Sequence, residues 1–73
     1  MQKITINTPF ITLGQFLKFS GIISSGSDAK VFLFEEIIKV NGELENRRGR
    51  KLFPGDIIEV LGTKYQVLSD ENQ

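Results

Sequence analysis

Between residues 38 and 68 the chain runs in short apolar–polar alternations, and turn residues cut every run. In "IIKVNGELE", Ile38 and Val40 alternate with polar neighbours, Asn41-Gly42 suits a tight two-residue turn, and Leu44 returns on the other side. "FPGD" is a second turn, with Pro54 and Gly55 at compatible positions. "IIEVLGTKYQVL" predicts another hairpin, with strands over 57–61 and 64–68 around a Gly62-Thr63 turn. This punctuation restricts the second half of the chain to four short strands.

The first half carries helix signals instead. "KITIN" is one short half-buried strand, ended by Thr8-Pro9. Thr12 then caps a helix, Gln15 completes a capping box, and Ile11 and Phe16 stand at hydrophobic-staple positions. Leu13, Phe16, Leu17 and Ser20 share one face at helical spacing, Gly14 and Lys18 face solvent, and Gly21 stops the helix. A second helix starts at Gly26 or Ser27 with Asp28 in its first turn. Ala29, Phe32 and Leu33 form its stripe, Val31 and Phe34 lie off it, and Glu35-Glu36 end it. The expected architecture is α+β: two N-terminal helices packed on a small, mainly antiparallel sheet. With 73 residues the chain has length for one domain, 1–73, with a polar, frayed tail at 69–73.

Charge narrows the functional reading. Nine Lys plus Arg balance nine Asp plus Glu, yet "NRRGRK" (46–51) holds four of the cations. Without them the chain would carry five cations against nine acids, a net −4. Overall neutrality argues against a polycation that coats nucleic acid, but not against a local patch. Arg47, Arg48 and Arg50 offer planar forks suited to phosphate, and Lys51 adds a point charge. Gly49 lets the backbone approach a ligand or take a positive φ. The competing reading is a solvated loop whose charges keep a sheet edge from pairing with other chains.

A second anion site is expected at "SSGSDAK". Backbone N–H groups at a helix start attract phosphate, Ser24, Ser25 and Ser27 add hydroxyls, and Lys30 adds charge, whereas Asp28 opposes an anion. An ordinary capped turn explains the same residues. Among the aromatics, Phe10, Phe16, Phe19 and Phe32 are expected in the core. Phe34 is a candidate for exposure, and Phe53 either stacks on a base or packs beneath the Pro54-Gly55 turn. Enzymatic chemistry has little support: there is no His, no Cys and no phosphate-binding glycine motif, and Ser27 beside Lys30 reads as a cap. No cofactor, metal, membrane or small-molecule substrate is expected. There is no long apolar run or secretory layout, so a cytoplasmic protein is the default.

The stretch "AKVFLFEEIIKVNGELENRRGRKLFPGDIIEV" resembles the RNA-binding domain named after small-subunit ribosomal protein S-four, the αL motif. The resemblance rests on Ala29-Lys30, Phe32-Leu33, Ile38–Gly42 and Pro54–Val60, covers about residues 10–61, and is closest to the small stand-alone bacterial members of the YaaA or YbcJ type. It implies non-catalytic binding of structured RNA, ribosomal RNA foremost, through a basic loop and the helix-two surface. By position it implies RNA contacts from Lys18, Lys30, Arg47, Arg48, Arg50 and Lys51, and Ser25 and Ser27 of the helix-entry anion site join them as expected RNA-binding residues. Phe34, Glu36 and Ile37 depart from the family pattern and leave helix two less cationic. That shifts weight to the loop and raises an alternative, a protein-interaction module that docks on a ribosomal or replication partner through Val31 and Phe34. The "VNGE…GDIIEV" pattern also resembles ubiquitin-like sulfur carriers, but those end in Gly-Gly and this chain ends "DENQ".

Overall fold

Ile4 and Ile6 alternate with polar residues, and the first element is a strand, β1 (Gln2–Ile6), in the computed structural model, which describes residues 1–70. There follow β2 (Ile11–Thr12), α1 (Leu13–Phe19), α2 (Asp28–Glu35), β3 (Ile38–Val40), β4 (Glu43–Leu44), β5 (Lys51–Leu52), β6 (Ile57–Val60) and β7 (Thr63–Ser69). Five strands make one sheet in the order β1-β7-β6-β3-β4, while β2 and β5 pair separately as an antiparallel ladder. The class is α+β, as expected, but the helices do not come first and the sheet is mixed. β1 runs parallel to β7, with Ile4 opposite Val67 and Ile6 opposite Ser69. Its two isoleucines extend the apolar face of β7, which a strand placed before the helices reaches only by pairing at the far edge. Ser69 therefore closes a strand, and Asp70 N–H still donates to the Ile6 carbonyl (3.0 Å), so the chain is held here where a frayed tail was expected. The rest of that expected tail, 71–73, lies outside the described residues.

Both helices lie on one hydrophobic cluster. α1 supplies Leu13, Phe16 and Leu17, α2 supplies Ala29 and Leu33, and the sheet supplies Ile38, Val40, Ile58, Val60 and Val67. The Phe16 ring meets Tyr65 edge-on at 5.3 Å, a favoured aromatic geometry. The capping box of α1 is formed: Gln15 N–H donates to Thr12 Oγ1 (3.2 Å) and Thr12 N–H to Gln15 Oε1 (2.9 Å). Gly21, at φ 81°, takes the left-handed residue that ends the helix. α2 is apolar on several sides. Phe32 packs half-buried on the core while Val31 and Phe34 face outward, 56% and 90% exposed. No helix among the described residues is long and apolar enough to cross a membrane.

Two turns are tied together. Asn41 (φ 52°) and Gly42 (φ 87°) form the two-residue turn between β3 and β4, with Val40 opposite Glu43. Phe53–Asp56 form a turn with Gly55 at φ 99°, closed by Asp56 N–H to the Phe53 carbonyl (2.9 Å). Asn41 Oδ1 accepts from Ile57 N–H (2.9 Å), and its Nδ2 donates to Asp56 Oδ1 (3.2 Å). The other Asp56 oxygen accepts from Phe53 N–H (2.8 Å). One amide and one carboxylate thus fix both turns and the start of β6.

The last hairpin turns at Leu61-Gly62 rather than Gly62-Thr63, with Val60 opposite Thr63. Both turn residues have positive φ, 52° and 77°. A tight turn of this kind favours glycine in second place, whereas Gly62-Thr63 would force a β-branched residue into the left-handed region. The cost falls on Leu61, which is 63% exposed and held at a backbone angle that disfavours ordinary side chains by roughly 1–2 kcal/mol. Leu61→Asn keeps the turn and relieves that strain. Urea unfolding is expected to show a gain of about 0.5–1 kcal/mol with an unchanged m-value.

Candidate nucleic-acid interface

The basic loop is docked against the start of α1. Leu13 N–H donates to the Arg50 carbonyl (2.8 Å) and Gly14 N–H to the Arg48 carbonyl (2.9 Å). These are first-turn donors without partners inside the helix, and the loop backbone satisfies them. Thr12 opposite Lys51 and Ile11 opposite Leu52 continue the attachment as a two-residue ladder. Gly14 is buried beneath this contact, where exposure was expected. A β-carbon there would stand 2.7 Å from Arg48 Cγ, so only glycine lets the loop lie this close. Gly49 does not take the positive φ that was one of its two expected roles. No atom stands within 4 Å of where its β-carbon would be. Arg47 and Arg50 close an ordinary turn around it, Arg50 N–H to the Arg47 carbonyl (3.2 Å).

Glu45, not singled out from the sequence, organises the loop side chains. It follows β4, and its backbone N–H bonds the Ile38 carbonyl (2.9 Å). Its carboxylate, only 6% exposed, receives Arg47 Nε (2.9 Å) and Nη2 (3.0 Å), Arg50 Nη1 (2.7 Å), and the backbone N–H of Arg47 (3.0 Å) and Asn46 (3.2 Å). The forked bond from Arg47 is the main cause that holds the Glu45 pKa near 2, well below its usual 4.5; the Arg47 backbone and Arg50 add to it, and burial opposes them. Arg47 and Arg50 thus share one negative charge, while Arg48 and Lys51 are exposed and make no ion pair among the described residues. Lys51 instead places its ammonium 4.8 Å over the Phe10 ring, which packs on Phe53 at 5.6 Å. Phe53 is therefore part of an aromatic pair rather than tucked beneath its turn.

The other expected residues divide. Lys18 is exposed on α1 in a groove with Phe10. Lys30 is exposed on α2 and lines a shallow hollow with Phe34 and Asn46, at the root of the loop. Ser27 occupies the N-cap position of α2 but makes no side-chain cap bond; its hydroxyl lies 3.0 Å from that of Ser25. Ser24 donates to Asp28 (3.2 Å), and the Ser25 and Gly26 carbonyls take the first free N–H groups. Neither Ser25 nor Ser27 bonds the basic loop, and a carboxylate stands at this helix entry. Phe19, expected in the core, is 66% exposed.

The Glu45 cluster has a pH signature. A carboxyl whose pKa is depressed on folding contributes its stability above the unfolded value and loses it as pH falls through the folded one. The contribution is expected to be complete above about pH 4.5 and to drain away toward pH 2. Glu45→Gln removes the titrating group. The stability difference between wild type and variant, followed by chemical denaturation, is expected to shrink across that window; a difference independent of pH would show that the carboxylate charge is not what the arginines hold.

This geometry has relatives. A family model described as "S4 domain" matches residues 4–68. The chain is 56% identical over 67 residues to the "Probable ribosome maturation protein RlbA" of Bacillus subtilis (strain 168), covering 90% of this chain and 94% of that protein. It is 33% identical over 61 residues to the "Putative RNA-binding protein YbcJ" of Escherichia coli (strain K12), covering 84% and 87% respectively. The family match takes in the second half of β1 and almost all of β7, beyond the 10–61 stretch that carries the helix and turn motifs, and the chain accordingly belongs to the S4 domain family.

Proposed function

We propose that this protein binds structured RNA without catalysing a reaction on it, with ribosomal RNA as the first candidate. The observation that carries the reading is the loop's construction. The Arg48 and Arg50 carbonyls point into α1, and four cations sit on a short segment pinned at both ends. With Glu45 counted, the segment retains a net charge of +3 in an otherwise acidic chain. Arg48 and Lys51 meet phosphates directly, Arg47 and Arg50 present the donors that Glu45 leaves over, and Lys18 and Lys30 extend the cationic surface along the helices. Ser25 and Ser27 are peripheral to it. The names borne by the relatives, a ribosome maturation protein and an RNA-binding protein, support the same reading. Paired RNA offers mainly phosphates and 2′-hydroxyls to side chains, so recognition rests largely on shape.

The test is the salt dependence of binding to ribosomal RNA fragments. Affinity is expected to fall with a log–log slope of roughly −0.7 to −0.9 per neutralised phosphate. Arg48→Glu with Lys51→Glu is expected to weaken binding at least about tenfold and flatten the slope by about 1–2. Glutamate keeps the γ-carbon that rests on Gly14, so circular dichroism should match wild type. Undiminished binding by the double variant would remove the loop from the interface.

A second surface has its own observation. Phe34 is 90% exposed and Val31 56% exposed on α2, which fits contact with a ribosomal or other protein beside the RNA. Phe34→Ser is expected to abolish co-sedimentation with ribosomal particles if that contact dominates, while the loop reversal leaves it intact. The opposite pattern assigns the association to RNA.

A further inference from the structure

We propose that the groove beside α1 receives an unpaired nucleobase of the bound RNA, an inference that rests on the RNA-binding reading above. The groove is open, about 1020 Å³, and lies between α1 and the connection from β1 to β2. Phe10, Ile11, Gln15, Lys18, Phe19 and Asp70 line it.

Its aromatic content is the first argument. α1 buries Leu13, Phe16 and Leu17 completely, yet leaves Phe19 66% exposed. Gln15, Lys18 and Phe19 stand three and four residues apart, so one outward helix face carries an amide, a cation and a ring. Phe10 faces them across the groove. Bases stack on such rings regardless of sequence, with contributions that removal of one ring makes measurable.

Charge is the second argument. Lys18 lines the groove, and Lys51 sits over the ring of Phe10, one of its lining residues, so one ammonium group borders the groove and a second stands on its aromatic wall. Asp70 is the one carboxylate among its lining residues; it sits at the end of β1, bonded through its N–H to Ile6, and keeps phosphate away from that end. An apolar protein segment would use the rings and leave both lysines idle. A nucleotide uses both, with its base on the rings and its phosphate on the lysines. Gln15 completes the match: its carbonyl is committed to Thr12 N–H, while its amide nitrogen has no partner among the described residues and can donate to a base edge.

Continuity with the basic loop is the third. Lys51, a residue of the loop, sits over the ring of Phe10, which lines the groove, so a strand bound along Arg48 and Lys51 passes close by. Helical RNA keeps its bases stacked inward; a bulged or looped-out base is free to leave the strand here.

The test uses the whole chain with an RNA hairpin whose paired stem is closed by a non-nucleotide linker, leaving no base unpaired, and the same hairpin carrying an internal bulge. Wild type is expected to prefer the bulged hairpin about tenfold, within the range that base–aromatic stacking supplies. Phe19→Ala should erase the preference and leave affinity for the paired hairpin unchanged. The chain has no tryptophan, so Phe19→Trp provides a single reporter. It should keep the preference, and its emission should be quenched by the bulged hairpin alone. A preference that survives Phe19→Ala, or emission indifferent to the bulge, overturns the groove assignment while salt-dependent binding of both hairpins leaves the RNA reading standing. Failure of wild type to bind either hairpin overturns both. Self-association in sedimentation that Phe19→Ala abolishes, with no change in RNA preference, makes the groove a protein interface and also overturns the proposal.

Discussion

Two hydrogen bonds, from Leu13 and Gly14 to the Arg50 and Arg48 carbonyls, join the halves of this structure. α1 has seven residues, too few to persist alone in water. It is held by its buried face, by the Thr12–Gln15 capping box, and by this loop at its entry. The dependence is mutual. The Arg47 carbonyl takes the turn's own Arg50 N–H, but the Arg48 and Arg50 carbonyls find their donors at the helix start. Gly14 makes the approach possible, since any side chain there would collide with Arg48.

Electrostatics then sort the cations into two kinds. Glu45 gathers Arg47 and Arg50 with several charge-assisted bonds, and its low pKa keeps it ionised across the ordinary pH range. Those arginines are ordered before any ligand arrives, which lowers the entropy lost on binding. Arg48 and Lys51 stay outside the carboxylate's grasp. The result is a rigid frame with two free charges at its surface, unlike a basic tail whose charges are all mobile.

Much of the fold was legible because it is written in local chemistry. Asn41, Gly42 and Gly55 can hold the positive φ values their turns require, and the strands alternate as the pleat demands. The capping box formed between the residues that predicted it. The unread parts depend on which partners the folded chain brings into contact, some distant in sequence and some only a few residues away. Gly14 looked solvent-facing on a helical wheel, because nothing local announces that Arg48 will cover it. Glu45 looked like one acid among nine until the hairpin aimed it at two arginines. Phe19 looked like core, but Phe16 and Leu17 fill the space under α1 and turn it outward. Ser27 looked like a cap, yet its hydroxyl found Ser25 instead. The last turn shifted by one residue because the left-handed position accepted Leu61 more readily than a β-branched threonine.

By itself the sequence determined the α+β class, both helices, the two early turns and the loop that collects the positive charge, since each follows from propensities acting over a few neighbouring residues. Only the tertiary structure decided that β1 closes the sheet in parallel beside β7, that Glu45 claims two of the four cations, and that Phe10, Lys18 and Phe19 border one groove with Lys51 over the Phe10 ring. The β1–β7 pairing and the groove need packing between residues tens of positions apart, and the Glu45 cluster, though its members are only two and five positions apart, needs the folded hairpin to orient their charges; no local pattern encodes either.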